Sequence, residues 1–342
     1  MSAQTPTDPD QRLWQPNYQR VKTLELFIKS ICGFFAIISI ATTAGIIGTL
    51  IFETYEFFQE VPFWRFFTDT RWTPLFTSQQ FGISVLISAT LLTSSIAILV
   101  AVPLGLFSAI FLSEYASLKV RKILKPILEV LAGIPSVVFG YFALLTVTPF
   151  LQNLFDAVRL SVTVPAWLSF LPFTYFIEPD YFIDLPPYLE GFNALSAGLV
   201  LGISITPLVA SLSEDAIYSV PQSLRNGAYA LGATKRETIF GAVLPAALSG
   251  IVASIILAIS RAIGETMIVT LAAGQNPTLG FNPFVPVMTM TAYIVQVSLG
   301  DTAVGTLAYK TIFAVGMTLF CMTLLLNIFS FWFVRRFRER YE

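Results

Sequence analysis

The segment Asn226-Gly-Ala-Tyr-Ala-Leu-Gly-Ala-Thr-Lys-Arg-Glu-Thr-Ile-Phe-Gly-Ala-Val-Leu-Pro245 is a polar junction between two strongly apolar stretches of the chain. Its first part predicts a helix, because Leu224, Ala228 and Leu231 recur at helical spacing. Gly232 then ends that helix, as a C-terminal glycine does, and a second helix is predicted to begin three residues later. The segment therefore predicts a rigid helix–turn–helix at a membrane surface, between two membrane spans.

The composition excludes an ordinary water-soluble domain. Hydrophobic residues make up 55% of the chain and charged residues only 12%, against about 25% charged in typical globular proteins. The net charge of −1 provides no basic field for nucleic acid. The absence of histidine excludes histidine bases, triads and histidine metal sites. Cys32 and Cys321 lie in separate apolar runs, which predicts buried small hydrophobes rather than a disulfide or a metal pair.

Apolar runs of the length that crosses a bilayer, about 20 residues, predict six spans. They cover about 26–52, 81–112, 127–150, 192–212, 246–273 and 303–334. The first run is too long for a signal-peptide core and is expected to remain in the mature protein. Gly198 and Gly202, at GxxxG spacing in the fourth run, predict a close helix–helix crossing.

Lysine and arginine concentrate on one side of these spans. That side holds both chain ends and the clusters at 119–125 and 225–236, whereas Arg65, Arg71 and Arg159 lie on the other. By the positive-inside rule, both termini and the helix–turn–helix are predicted to be cytoplasmic, which requires an even number of spans. The outer loops are acid-rich, so an anionic substrate is expected to arrive on a carrier protein.

The predicted organisation has four parts, and the third part contains three distinct segments. Residues 1–24 form a cytoplasmic tail, 25–80 the first span and outer loop, 81–334 a five-span core, and 335–342 a basic cytoplasmic tail. Within the core, 214–247 is the helix–turn–helix loop, 151–192 an outer insertion with at most one interfacial helix, and 274–300 an outer loop.

The fifth run contains the strongest candidate for chemistry. Arg261 lies near the middle of the membrane, where a lone arginine costs a few kcal/mol. Glu265 follows at i,i+4, so the two side chains are predicted to pair on one helix face. Gly264 and Thr266 flank Glu265 with little bulk and one hydroxyl, and Ser260 precedes Arg261. A guanidinium in a low-dielectric path suits a tetrahedral oxyanion, because its fork donates two parallel hydrogen bonds.

Glu265 has two possible roles in this hypothesis. It neutralises Arg261 when the path is empty, or it accepts a hydrogen bond from a protonated oxygen of phosphate, which sulfate lacks at neutral pH. The alternative is a structural ion pair between helices, of little net stability once desolvation is counted. Glu129 is predicted to reach the membrane interface, and Lys310 either does the same or lies beside the path. A kink is predicted at 133–135.

The helix–turn–helix resembles the EAA loop of permease subunits in ATP-binding-cassette (ABC) importers. That pattern places Glu-Ala-Ala before a glycine and Leu-Pro a dozen residues later; here Ala228, Gly232, Leu244 and Pro245 occupy those positions. The chain departs from the pattern at 226–227, where Asn and Gly replace Glu and Ala. The resemblance implies an all-α integral membrane protein with six transmembrane helices and a cytoplasmic coupling loop.

Four further stretches, at 113–116, 131–140, 230–234 and 260–267, are similar to PstC-type permeases of the high-affinity phosphate importer, and the resemblance runs from about residue 80 to the end. It implies a PstA-like sister permease, a PstB-like ATPase dimer and an external PstS-like phosphate-binding protein, in a bacterial inner membrane. It also implies that the phosphate path contains Arg261, Glu265, Thr266 and Ser260, and that ATPase coupling involves Ala228, Gly232, Ala233, Thr234, Lys235, Leu244 and Pro245.

The chain has no Walker A sequence, so we expect no ATPase site and no cofactor in this chain, with ATP and Mg²⁺ bound by the partner. Three alternatives stay open at this point. They are an ABC permease for another oxyanion such as molybdate or sulfate, an ion-coupled secondary carrier that uses Glu129, Glu265 and Lys310 as a proton relay, and a membrane scaffold without transport.

Overall fold

The computed structural model describes residues 18–158, 160–163, 182–185 and 188–337. The described chain is almost entirely helical. Its elements are α1 (Tyr18–Glu60), α2 (Phe63–Thr68), α3 (Ile83–Ile110), α4 (Leu118–Ala132), α5 (Ser136–Phe142), α6 (Thr148–Val158), β1 (Leu160–Thr163), β2 (Phe182–Leu185), α7 (Ala194–Tyr218), α8 (Gln222–Ala230), α9 (Lys235–Thr238), α10 (Leu244–Ile263), α11 (Met267–Ala272), α12 (Met290–Leu299) and α13 (Leu307–Phe337). Single π-helical turns at Phe111–Tyr115, Ala143–Val147 and Ile239–Val243 follow α3, α5 and α9.

Within the described residues, six helical stretches are long and apolar enough to cross a membrane. They are Lys22–Glu60, Ile83–Tyr115, Ser136–Ala157, Ala194–Tyr218, Lys235–Ile263 and Leu307–Val334. The prediction of an all-α membrane protein with six spans is therefore confirmed, since a helix satisfies its backbone hydrogen bonds internally, as a bilayer requires.

The chain divides into two compact units at Glu53. In the first unit, α1 presents large apolar side chains to its surroundings, including Phe34, Phe35 and Ile40. Such a surface is suited to lipid rather than water. The second unit, from Thr54 onward, contains all of the other helices and the packed core.

Close packing of α3 against α7 forms the centre of the second unit. A Cβ placed on Gly198 would lie 2.7 Å from the Cβ of Ile96, and one on Gly202 would lie 2.7 Å from the carbonyl oxygen of Ala97. Only glycine permits backbones to approach this closely, so the predicted close crossing at these two glycines is confirmed.

The third predicted span is two separate helices. Gly133 caps α4, and Pro135 has the extended backbone (φ −57°, ψ 134°) that precedes α5. The predicted kink at 133–135 is thus a complete break between helices. Glu129 lies on α4 with an exposed side chain, outside the span that begins at Ser136.

The fifth predicted span is also interrupted. Its long helix, α10, ends at Ile263, and the short α11 begins only at Met267. The loop predicted over 274–300 contains α12, which the sequence analysis missed. The first four residues of this helix and Val297 are buried, and Tyr293 packs edge-to-face on Trp72 with ring centroids 5.0 Å apart.

The ends and the outer insertion differ in part from their predicted limits. The first helix begins at Tyr18, inside the predicted tail 1–24. In the insertion, α6 runs to Val158, and β1 pairs antiparallel with β2. Residues 1–17, 159, 164–181, 186–187 and 338–342 lie outside the described residues.

Both cysteines are free thiols at exposed positions. The prediction that Cys32 and Cys321 are buried was therefore wrong. The error has a physical cause: an apolar position on a membrane helix can face lipid, so it is exposed in the isolated chain.

Candidate functional site

The hairpin, defined here as residues 222–245, has the predicted helix–turn–helix geometry. Its first helix is followed by Gly232 at φ +84°, a left-handed conformation that glycine adopts without a steric penalty. The amide of Gly232 donates to the carbonyl of Tyr229 at 2.9 Å, and that of Ala233 donates to Ala228 at 3.1 Å. These bonds satisfy the carbonyls at the end of α8.

A capping box begins the second helix of the hairpin. The backbone amide of Thr234 donates to Glu237 Oε2 at 2.7 Å, and the amide of Glu237 donates to Thr234 Oγ1 at 3.4 Å. The second helix begins at Lys235, as predicted. The capping box gives a hydrogen-bond partner to the amides of Thr234 and Glu237, which would otherwise be unpaired. Pro245 then lies in the first turn of α10, directly after the π-helical turn Ile239–Val243.

The tip of the hairpin is exposed. Leu231 at its apex is 90% exposed, and Phe240 nearby is 59% exposed. Of the residues predicted to couple to an ATPase, Gly232, Thr234, Lys235 and Pro245 are exposed, and Ala228, Ala233 and Leu244 are partly buried. The hairpin therefore presents an uncovered apolar apex on a short rigid support.

A buried ion pair fixes the base of the hairpin. Arg225 in α8 is 7% exposed, and its Nη2 and Nε donate to Glu114 Oε1 at 2.7 and 3.2 Å. The same guanidinium donates to the backbone carbonyls of Ile217 and Val220. A fully partnered buried guanidinium ties the hairpin to the end of α3, because removal of either charge would leave the other uncompensated.

This anchor was not predicted from the sequence. Its one available signal was Glu114, which lies in the quoted stretch 113–116, but nothing in the spacing indicates that Arg225 is its partner 111 residues away. Lys235 adds a second link, with its ammonium 4.5 Å from the centre of the Tyr115 ring. A cavity of about 450 Å³ lies at this base, between the hairpin and the ends of α3 and α7.

A second cluster of charges joins α4 to the end of α7. Glu214 is fully buried and accepts from Lys125 Nζ at 2.8 Å, and it also contacts Arg121. Lys125 pairs in addition with Asp215, and the guanidinium of Arg121 stacks 3.6 Å from the centre of the Tyr218 ring. The sequence places these residues in different segments and did not predict the cluster.

This arrangement changes the titration of Lys125. Burial by itself disfavours the charged ammonium, but hydrogen bonds and charge from Asp215 and Glu214 outweigh it and raise the pKa of Lys125. The ammonium is thus stabilised as a cation between two carboxylates. The cluster holds α4, which precedes the break at 133–135, against the same helix end that carries the hairpin.

The candidate transport residues lie at the interruption of the fifth span. Arg261 is in the last turn of α10, with an exposed side chain and no ion pair among the described residues. The predicted i,i+4 pairing with Glu265 is wrong, because Gly264 (φ −86°, ψ 0°) ends the helix between them. Helical spacing places two side chains on one face only while the helix continues.

Neighbouring helices hold this interruption from two sides. The hydroxyl of Thr291, on α12, donates to the backbone carbonyl of Glu265 at 2.7 Å. The hydroxyl of Ser260 donates to Asn327 Oδ1 on α13 at 3.3 Å. Thr266 donates to the carbonyl of Gly264 at 3.4 Å. The structure thus places Ser260 and Arg261 in the last turn of α10 and Glu265 and Thr266 in the non-helical segment that follows, rather than all four on one helix face.

Lys310 has a structural setting of its own. Its ammonium contacts Glu60 Oε1 at 2.9 Å and Glu56 Oε2 at 3.1 Å. The three side chains join the end of α1, beyond Thr54, to the first turn of α13. Among the described residues, no cluster of three His, Cys, Asp or Glu side chains could hold a metal ion.

The chain is similar to one known protein family and to several named permeases. Residues 101–342 match the model of the family described as binding-protein-dependent transport system inner membrane component. A phosphate transport system permease protein PstC of Mesorhizobium japonicum is 32% identical over 307 residues, which cover 89% of this chain and 88% of the relative. The PstC of Haemophilus influenzae is 30% identical over 307 residues, with 90% and 92% covered. The probable ABC transporter permease protein YqgH of Bacillus subtilis is 31% identical over 261 residues, with 76% and 74% covered.

Similar solved structures were also found. An inward-facing MetNI methionine ABC transporter chain aligns with 75% of this chain and 95% of its own length, at 16% identity and a TM-score of 0.48. A chain of an amino acid ABC transporter aligns with 74% and 92%, at 18% identity and a TM-score of 0.44.

Proposed function

The chain belongs to the binding-protein-dependent transport system inner membrane component family, and from that membership we propose that it is the permease subunit of an ATP-driven phosphate importer. It is a multi-pass membrane protein of the ABC permease type. Its similarity to PstC-type permeases covers most of the chain and favours phosphate as the substrate.

The observation that carries this proposal is Arg261. A guanidinium in a membrane-spanning segment without an ion-pair partner in the described chain costs a few kcal/mol unless something else compensates it. A tetrahedral oxyanion does so well, since the guanidinium donates two parallel hydrogen bonds to neighbouring oxygens. The interruption at 264–266 supports the same role, because non-helical backbone at membrane depth occurs where it lines a cavity or is buried in protein.

Glu265 and Thr266 extend the proposed path. A carboxylate next to the path accepts a hydrogen bond from a protonated phosphate oxygen and repels fully deprotonated sulfate. Glu265 and Thr266 are both partly buried and belong to the same non-helical segment as Gly264. Because Glu265 is not paired with Arg261 here, its carboxylate is available for this task.

We assign the hairpin to coupling. Its exposed apex, with Leu231, would dock on a PstB-like ATPase dimer that binds ATP and Mg²⁺, and a PstA-like sister permease would complete the path. In the proposed transport cycle, ATP closes the ATPase dimer and draws together the hairpins of the two permeases. The spans then open toward an external PstS-like phosphate-binding protein. Hydrolysis returns the path to the inward-facing state. The positive-inside rule places the hairpin and both termini in the bacterial cytoplasm.

The test is phosphate uptake by the complete complex with Arg261→Ala. We expect loss of uptake with unchanged co-purification of the sister permease and ATPase, because the substitution removes both donors without disturbing a described contact. Arg65→Ala is the matched control, since Arg65 lies outside the spans and reaches only Asp69. Normal uptake by the Arg261 variant would contradict the assigned path.

Competition by other oxyanions for uptake distinguishes phosphate import from the alternatives. Arsenate, which has the shape and protonation of phosphate, should compete for uptake, whereas molybdate should not. Competition by molybdate alone would indicate an importer for another oxyanion. Uptake by this chain in liposomes without any ATPase would indicate an ion-coupled carrier instead.

A further inference from the structure

Asn327 is a polar residue inside the last span that the sequence analysis did not single out. It lies on α13 between Leu307 and Val334, eight residues before Arg335. At a rise of about 1.5 Å per residue, that separation is about 12 Å along the helix. The Asn327 side chain is exposed in the isolated chain. Its one hydrogen bond among the described residues comes from the hydroxyl of Ser260, at 3.3 Å.

This bond leaves part of the amide without a partner. An asparagine side chain has one carbonyl oxygen and an NH₂ group with two donors. Ser260 donates to the carbonyl oxygen, so neither N–H has a partner in the described chain. A polar group left unsatisfied in hydrocarbon costs several kcal/mol. The position of Asn327 therefore indicates polar surroundings rather than lipid.

The neighbours of Asn327 indicate what those surroundings are. Its hydrogen-bond partner Ser260 is adjacent in sequence to Arg261, whose guanidinium is also exposed and without an ion-pair partner in the described residues. The neutral donors of Asn327 thus lie at the contact of α10 with α13, and the charged donors belong to Arg261, the residue next to Ser260 in that contact. No described acidic side chain forms an ion pair with Arg261 to neutralise them.

We propose that Asn327 is a further residue of the anion path, which holds the oxyanion by its amide N–H groups while Ser260 fixes the amide orientation. This inference rests on the proposed function. A neutral donor is suited to the task, because a transport site must bind its ion strongly enough to admit it and weakly enough to release it. A second cation beside Arg261 would hold the anion more tightly and slow its release.

The test compares substitutions of Asn327 in the purified complex reconstituted in liposomes. Asn327→Asp keeps the size, replaces the donors by a carboxylate and should raise the KM for phosphate by at least about tenfold. Asn327→Leu removes the donors without adding charge and should raise KM by about tenfold, with the kcat of ATP-driven uptake little changed. Asn327→Ser, which keeps a donor, should lie between Asn327→Leu and the parent.

Thr323→Val is the matched control on the same helix. The hydroxyl of Thr323 bonds only to the backbone carbonyls of Leu319 and Phe320, so its removal takes away a polar group one turn from Asn327 without removing the bond between Ser260 and Asn327. Ser260→Ala should raise KM less than Asn327→Leu. The double variant should equal Asn327→Leu alone, because Ser260 acts through the amide.

The outcomes separate this inference from the one on which it rests. Unchanged KM for phosphate in Asn327→Leu and Asn327→Asp overturns it, even where Arg261→Ala abolishes uptake. Loss of the sister permease from both variants also overturns it and assigns Asn327 to subunit contact. If uptake survives Arg261→Ala, the proposed function fails first, whatever Asn327 does.

Discussion

Replacement of Gly232 by valine tests the hairpin most directly. Gly232 has φ +84°, and a Cβ built on it meets no atom within 4 Å. The cost of a side chain there is thus conformational rather than steric contact with neighbours. For an L-residue, the left-handed region costs roughly 1–2 kcal/mol, and a β-branched residue is disfavoured further.

This cost sets the size of the expected effect. A penalty of roughly 1–2 kcal/mol lowers the population of the native turn by about 5–30-fold relative to alternatives. Turning φ negative would break the bonds from the amides of Gly232 and Ala233 to Tyr229 and Ala228. We therefore expect the order of hairpin integrity to be Gly, then Asn, then Ala, then Val, because asparagine tolerates this conformation best after glycine.

Gly227→Ala is the matched control in the same hairpin. Gly227 lies inside α8 with a negative φ, and a Cβ there also meets nothing within 4 Å. Alanine should stabilise this helix by about 0.5–1 kcal/mol. Gly227→Ala and Gly232→Ala add the same methyl group to one exposed hairpin, so their opposite expected signs isolate the effect of backbone conformation.

The assay has two readouts. Hydrogen–deuterium exchange of the Gly232 and Ala233 amides reports the turn itself and does not depend on function. The ATPase retained on purification and the phosphate taken up per ATP hydrolysed report coupling. Faster exchange and lost coupling are expected in Gly232→Val. Native exchange and coupling in this variant, or equal damage by Gly232→Asn, would refute the reasoning.

Two other predictions concern the packed unit. Gly202→Leu should prevent folding or assembly, because its Cβ would lie 2.7 Å from the backbone oxygen of Ala97; yield and thermal stability in detergent check this, with Gly48→Ala in open space as the control. Burial lowers the pKa of Lys125, but Asp215 and Glu214 raise it by more, so the pKa in the folded protein lies above the unfolded value of about 10.4. The charged Lys125 therefore contributes fully to the free energy of unfolding below the unfolded pKa, and this contribution is lost as the pH rises through the folded pKa. Thermal unfolding from about pH 8 to about pH 12 should show this loss, and Lys125→Met should flatten it; an equal slope in both proteins would contradict the pairing.

The sequence predicted best where local chemistry decides the structure. Six spans follow from the length of the apolar runs, and the turn at Gly232 follows from the one residue type that adopts positive φ freely. Thr234 and Glu237 form a capping box within four residues, so this helix start was also readable. In each case the interacting groups are near neighbours in the chain.

The sequence did not predict where a helix ends inside a hydrophobic run, because hydrophobicity does not mark such an end. The run over 246–273 is apolar on both sides of Arg261 and Glu265, yet α10 ends at Ile263, and the segment after it is held by Thr291 from α12. That interruption removed the expected pairing of Arg261 with Glu265. The short, partly buried α12 was likewise not predicted, because it lies among turn-forming residues in a stretch interpreted as a loop.

The amino-acid order alone determined the membrane class, the number of spans, the hairpin and the identity of the candidate charges, because these depend on composition and on contacts within about one helical turn. Only the tertiary structure decided which charges meet. Arg225 reaches Glu114, Lys125 reaches Glu214, and Ser260 reaches Asn327, across separations of 111, 89 and 67 residues. The physical reason is that side chains so distant in sequence become neighbours only when close helix packing, such as that at Gly202, brings their backbones together.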